Sequence, residues 1–262
     1  MRRLLSTIAA LLLLPASAML FGQTSRPAAR QPALRILVFS KTVKYRHDSI
    51  PDGIRAVKAL GQQHHFEVDA TEDAAPFTKE NLAKYAVIMF LNTTGDVLND
   101  DQQAAMESFI KSGKGFVGVH AAADTEYDWE WYGNLVGARF ASHPAVQPAT
   151  ILVRDSDHPS TRALPLKWQR TDEWYNFDDQ PRKRLGDKVR VLAVLDEKTY
   201  TGGTMGDEHP FAWCHEFDGG RAWYTEGGHT SENYAEPMFL QHLLGGITWA
   251  AGVKESGAET RP

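Results

Sequence analysis

The sequence predicts an α/β fold: a mostly parallel sheet with helices on both faces, with an added antiparallel hairpin. Short apolar runs alternate with helical stripes through the first half, and parallel strands need such crossovers. In the second half, two apolar alternating runs flank Asp218-Gly219-Gly220, a turn signal for a hairpin.

The elements follow in order. "ALRILVFSK" (33–41) is a continuous apolar run and the first buried strand. In "HDSIPDGIRAVKALG" (47–61), Asp48 or Ser49 caps a helix and Pro51 suits its first turn. Ile54, Val57, Ala59 and Leu60 form its apolar stripe, and Gly61 is expected to stop it. "HFEVDAT" (65–71) and "YAVIMFLNT" (85–93) are strands. "NDDQQAAMESFIKSGKG" (99–115) is a helix capped by Asn99 and closed by Gly113, and "GFVGVH" (115–120) is the next strand. Runs at 148–155, 166–177 and 189–197 extend the same sheet, and 210–228 forms the hairpin. Residues 231–252 read as a closing helix despite Pro237.

The chain has 262 residues, 42% of them hydrophobic, enough for one sizeable core. A net charge of -5 without a basic stripe excludes nucleic acid as partner. Arg2 and Arg3, the apolar run 4–14 and Ala16-Ser17-Ala18 have the layout of a cleaved export signal. The expected organisation is therefore a signal peptide at 1–18, a flexible spacer at 19–33, one domain at 34–252 and a tail at 253–262, with a periplasmic or secreted mature protein. Cys214 is the single cysteine, so no internal disulfide and no cysteine-based zinc site can form. No GxSxG, GxxxxGK[ST] or GxGxxG motif is present, which removes support for serine-hydrolase, nucleoside-triphosphate and dinucleotide readings.

In a parallel sheet, ligands bind beyond the carboxyl ends of the strands. That rule puts His47 (with Tyr45 and Arg46) after the first strand and His120 after the fourth on one functional edge. Small residues Ala121 to Ala123 let the chain turn at His120 and start a helix whose N-terminus would favour negative charge. Asp124 either orients His120 or caps that helix. Trp129 and Trp131, set among Glu126, Asp128 and Glu130, suit the apolar face and hydroxyl edge of a sugar ring as well as they suit a core. His143 sits in a loop. In "TDEWYNF", Asp172 and Glu173 precede Trp174 and Tyr175, and a carboxylate in aromatic surroundings can act as general acid or base. Glu208 and His209 precede a strand, and Glu226 and His229 follow one across Gly227-Gly228. Imidazoles at His47, His120 and His229 beside carboxylates could ligate zinc or another divalent metal, but no HExxH-type spacing is present.

"RHDSIPDGI", "GKGFVGVHAAADTEYDWEWYGNLVGARFASHP", "DSDHPSTRALP", "TDEWYNF" and "HPFAWCHEFDGGRAWYTEGGH" resemble the ThuA-like (trehalose utilisation) family over roughly 34–252. That resemblance implies a flavodoxin-like fold of the class I glutamine amidotransferase type. In that larger group the elbow position carries a catalytic cysteine. Here the matching position is His120, which argues against glutamine hydrolysis. The resemblance also implies a role in sugar metabolism, downstream of a sugar 3-dehydrogenase, in cleaving or converting 3-keto-glycosides. The motif positions are His47, His120, Asp124, His143, Glu173, Tyr175, His209 and His229. The expected chemistry is removal of the acidified C2 proton by His120 or Glu173, with His47 and His229 as electrophilic stabilisers or metal ligands. The remaining alternatives are a non-catalytic periplasmic carbohydrate-binding module and a metal-dependent hydrolase of another small substrate.

Overall fold

A computed structural model describes residues 34–253. The expected signal peptide, the spacer up to residue 33 and the tail from residue 254 lie outside the described residues. Among the described residues, no helix is long and apolar enough to cross a membrane.

The first half alternates as expected: β1 (Arg35–Phe39), α1 (Ile50–His64), β2 (Glu67–Thr71), α2 (Lys79–Leu82), β3 (Val87–Leu91), α3 (Asp100–Lys111) and β4 (Gly115–Val119). Then come α4 (Glu130–Val136), β5 (Phe140–Ser142), β6 (Gln147–Val153), β7 (Lys167–Asp172), β8 (Asn176–Phe177), α5 (Pro181–Leu185), β9 (Arg190–Asp196), β10 (His209–Phe217), β11 (Gly220–Thr225) and α6 (Pro237–Ala250).

One nine-stranded sheet has the order β2-β1-β3-β4-β11-β10-β9-β6-β7, and β5 pairs with β8 in a separate two-stranded sheet. The first five positions are parallel and have the flavodoxin-like 2-1-3-4-5 arrangement, with β11 as the fifth strand. From β11 outward the pairs are antiparallel. Direction therefore reverses at each step, and β7 runs the same way as β11. Its carboxyl end emerges on the same edge as those of β1, β4 and β11. The hairpin between β10 and β11 turns through Asp218 (φ 48) and Gly219 (φ 92), the left-handed pair a tight hairpin requires.

Period-2 alternation sorts each parallel strand between two cores. Ile36 and Val38 of β1 face one side, with Val57 and Leu60 of α1 and Leu243 and Ile247 of α6. Leu37 and Phe39 face the other, with Met106 and Phe109 of α3 and Tyr132 and Leu135 of α4. Both faces of the sheet are thus covered, which is why β1, β3 and β4 read as unbroken apolar runs.

Four local expectations are corrected. Gly61 does not stop α1: it lies inside the helix, which ends at His65 in the left-handed conformation. A Cβ on Gly61 would meet the Phe66 carbonyl oxygen at 2.6 Å and Val68 Cγ2 at 2.9 Å, so the glycine serves close packing of β2. The helix expected after His120 is a single 3₁₀ turn, His120–Asp124, too short to carry a useful dipole. The strand expected at 166–177 breaks after Asp172, freeing Glu173 to Tyr175 from the ladder. The closing helix starts only at Pro237, a residue suited to a first turn, after a short 3₁₀ turn at Glu232–Ala235.

Gly246 of α6 lies against the buried Trp223 indole, where a Cβ would come within 2.5 Å of ring atoms. Alanine favours a helix interior over glycine by about 1 kcal/mol, but this overlap reverses the sign. Gly246→Ala is expected to lower unfolding free energy by about 1–3 kcal/mol in urea titrations; a stabilised variant would show that the ring gives way freely.

Candidate functional site

His120 ends β4 with φ +49, a left-handed conformation rare outside glycine and concentrated at functional turns. Room for that elbow comes from small neighbours. A Cβ on Gly118 would lie 2.9 Å from Tyr224 Cδ2 and 3.4 Å from Ala122 Cβ. The elbow is then tied down: Tyr224 donates its hydroxyl to the His120 carbonyl at 2.7 Å, and Tyr132 to that of Ala122 at 2.7 Å. The His120 ring is fully buried, and its Nδ1 lies 2.7 Å from the backbone carbonyl of Glu226. A carbonyl only accepts, so Nδ1 carries a proton and donates it backwards, which leaves Nε2 to face the centre.

That nitrogen points into a group of four side chains. Nε2 of His120 lies 3.5 Å from Glu173 Oε2 and 3.3 Å from His229 Nδ1. His229 Nδ1 lies 3.2 Å from the same Glu173 oxygen. The His47 ring stands edge-on to both His120 and His229, with centroids 5.0 Å away in each case. One ligand atom from each of His47, His120, Glu173 and His229 falls within 4.8 Å of the others. A buried His/Glu group that could hold a metal is therefore present.

The electrostatics follow from burial and mutual proximity. Desolvation, then the neighbouring His120 and His229, push the His47 imidazole down to about 2. Its Nδ1 is buried without a hydrogen-bond partner. Burial alone would raise Glu173, but hydrogen bonds and charge from His120 and His229 outweigh it and hold the carboxyl far below its ordinary range. His229 is pulled down by burial, yet the hydrogen bond and charge of Glu173 leave it raised. The second Glu173 oxygen meets His143 Nδ1 at 2.9 Å, and His143 is partly open to solvent.

Tyr175 stacks on His120 with centroids 4.1 Å apart, and Tyr45, largely exposed, meets His47 edge-on at 4.8 Å. These residues converge as the loop positions imply. Others do not. Trp131 donates to Asp218 in the β10–β11 turn, at the amino end of β11, and Trp129 stacks on Trp131. The expected sugar platform of Trp129 and Trp131 thus lies at the opposite end of the sheet. Trp174 is fully buried, its indole donating to the Gln147 carbonyl, and is core. His209 is also fully buried. Its Nε2 donates to the Tyr175 carbonyl at 2.7 Å and its Nδ1 lies 2.7 Å from Glu197, so it supports Tyr175 from behind. Asp124 neither orients His120 nor caps a helix; it accepts from the Tyr127 hydroxyl and faces Lys44 at 3.7 Å.

Sequence reasoning missed Asn92, Ser49 and the structural role of Glu226. Asn92 (φ 54) donates to Ser49 Oγ and to the Gly228 carbonyl, joining the loops after β1, β3 and β11. The signal for it was the polar Asn92 directly after an apolar strand. Cys214 is buried in β10 and its thiol is pushed up to about 12 by burial, which makes it inert.

The architecture is a flavodoxin-like α/β domain with a polar centre on its carboxyl edge. The family model described as trehalose utilisation, ThuA, matches residues 35–250, and the chain belongs to this ThuA family. Among curated proteins, no match was found. Two solved ThuA-like proteins share the fold. That of Bacteroides uniformis has TM-score 0.73 and 24% identity, covering 89% of this chain and 97% of that one. That of Parabacteroides merdae has TM-score 0.69 and 20% identity, covering 84% and 90%. A β-galactosidase from Bacillus circulans sp. alkalophilus also matches, with TM-score 0.56 and 17% identity, over 87% of this chain but only 32% of the enzyme.

The buried histidines set the acid limit of the fold. Burial pushes His158 to about 4, His215 to about 4 and His242 to about 3. The unfolded chain takes up these protons near 6.5, so below that pH it binds more protons than the native state and stability falls. Each ring contributes a loss of roughly 1.4 kcal/mol per pH unit below 6.5. His229, raised in the native state, acts oppositely: its contribution is complete below 6.5 and is lost as pH rises through its folded value. His47 and His209 are lowered in the same way, while the raised acids Glu126, Glu226 and Glu236 side with His229; five lowered rings against these four groups predict a net destabilisation between pH 7 and 5, read as a falling urea midpoint. A midpoint that holds steady over that range would refute the balance.

Proposed function

We propose that this chain cleaves or converts 3-keto-glycosides by acid–base chemistry at His47, His120, Glu173 and His229. One observation carries the reading: three imidazoles and one carboxylate converge at the carboxyl edge of the sheet in a protein of the trehalose-utilisation family. A ketone at C3 acidifies the proton at C2. Glu173 Oε2, which lies between His120 and His229, is the carboxylate oxygen placed to remove it. The bonding electrons pass to the C3 oxygen as an enolate, and re-formation of the ketone expels the C1 substituent. His229, raised by Glu173, supplies the proton to that leaving group. His47 is held neutral and lends an N–H to the enolate oxygen. Water then adds across the C1–C2 double bond: its oxygen bonds to C1 as His229 takes back a proton from it, and Glu173 returns its proton to C2, which completes a net hydrolysis and restores both groups. His143 Nδ1, 2.9 Å from the outer Glu173 oxygen, links the carboxylate to the solvent-open side of the centre.

The same four side chains fit a divalent ion such as zinc. Three nitrogens and one carboxylate oxygen suit it, the Nδ1 of His120 is satisfied by a carbonyl behind it, and the buried Nδ1 of His47 lacks a partner. A bound ion would supply Lewis-acid polarisation of the ketone. Ligation and proton removal compete for Glu173 Oε2, so the metal content of the purified protein decides which role that oxygen has.

The test is turnover of a panel of 3-keto-glycosides with and without chelator. Glu173→Gln and His120→Ala are each expected to lower kcat by about 10²–10⁴-fold. Unchanged turnover in both variants would sink the mechanism. Sugar binding without turnover, surviving loss of the histidines, would instead mark a non-catalytic binding module.

A further inference from the structure

We propose that Asp172 is the positioning residue of this centre: it holds His229 and Glu173 in register across a gap the sheet does not close. The inference rests on the functional reading above for its kinetic consequence, but its geometry stands alone.

Glu173 follows β7, the outermost strand, whereas His229 follows β11. Three strands, β10, β9 and β6, lie between them in the sheet order. No ladder hydrogen bond therefore connects the two residues. Asp172 does. Its carboxylate is fully buried and accepts four polar contacts. Oδ1 accepts from the Glu173 N–H at 3.0 Å and from the His229 N–H at 3.1 Å. Oδ2 accepts from the Gly228 N–H at 2.8 Å and lies 3.5 Å from the Arg170 guanidinium. One carboxylate thus grips the backbone of both members of the 3.2 Å His229–Glu173 contact.

The loop is shaped for this grip. Gly228 has φ +119, and a Cβ on Gly227 would come within 2.5 Å of Arg170 Nη1 and 3.3 Å of Asp172 Oδ2. Only a Gly-Gly turn lets consecutive N–H groups wrap a buried anion this closely. Arg170, packed against the Trp168 and Phe239 rings at 4.8 and 4.3 Å, faces two carboxylates, Asp172 at 3.5 Å and Glu236 at 3.4 Å, and is the counter-charge to both. Its guanidinium makes no hydrogen bond of good geometry. It is a counter-charge, while the directed bonds all go to the two catalytic segments.

The experiment compares the wild type with Asp172→Asn and with Asp172→Asn/Arg170→Met. Asparagine must turn its amide towards one of the three N–H groups, losing an acceptor there. The double variant removes the otherwise unpaired arginine, so that misfolding does not decide the outcome. For the folded double variant, the expected results are a fall in kcat of about 100-fold on a 3-keto-glucoside, with KM within threefold, and faster hydrogen exchange at Gly228 and His229. Wild-type kcat in a folded double variant overturns the proposal, whether or not exchange changes. A wild type inert towards every 3-keto-glycoside defeats the functional reading alone. The Asp172 assignment is then decided by the ¹⁵N resonances of the His229 imidazole. They shift in the variant if Asp172 sets that ring against Glu173, and their staying put overturns it.

Discussion

The site depends on one constraint: the loop after β7 must lie against the end of β11, although the sheet separates those strands. Two buried carboxylates bridge the gap. Asp172 accepts from Gly228 and His229, and Glu226 reaches back from the end of β11 to accept from the Tyr175 N–H. Between those two clasps sits the segment Glu173–Tyr175, carrying the carboxylate and the ring that face His120. Backbone N–H groups leaving a strand need acceptors when they are buried. Here the acceptors are side chains of the opposite segment, so satisfying the backbone and assembling the centre are one event.

The parallel half supplies what the clasps cannot. β1, β4 and β11 end on one edge because they are parallel, so His47, His120 and His229 arrive together without any sequence spacing between them. The left-handed backbone at His120 turns the ring inward, and the Glu226 carbonyl fixes its tautomer. An elbow of this kind exposes whatever side chain it carries. With imidazole there, the turn presents a ring nitrogen, suited to a proton or a metal ion.

Much of this was legible in the sequence. The alternation of apolar runs and helical stripes gives the parallel half because both faces of those strands are buried, and the edge rule then picks out His47, His120 and His229. The break after Asp172 was not legible, since "LKWQRTDEWYNF" keeps strand composition throughout; tertiary partners end the ladder there, the Gly228 N–H donating to Asp172 and Glu226 accepting from the Tyr175 N–H. Gly61 misled because a glycine wanted for close approach looks the same as one wanted to end a helix. The tryptophans misled for a related reason. Trp129, Trp131 and Trp174 lie near catalytic residues in sequence, but helix α4 carries the first two towards the amino end of the sheet, and Trp174 turns into the core. Composition marks aromatics; only topology says which edge they reach.

The two clasping carboxylates differ in charge, and the difference matters to the centre they frame. Asp172 has Arg170 beside it, so its negative charge is balanced within the core. Glu226 is completely buried, with Oε2 unpartnered, and burial raises it well above the ordinary carboxyl value. Burial thus favours its neutral form, in which it still accepts from the Tyr175 N–H. Asp172 faces Arg170 and burial favours the neutral form of Glu226, so Glu173 is the carboxylate whose charge meets the imidazoles of the centre. That asymmetry suits it to receive a substrate proton, or a cation, at the same oxygen.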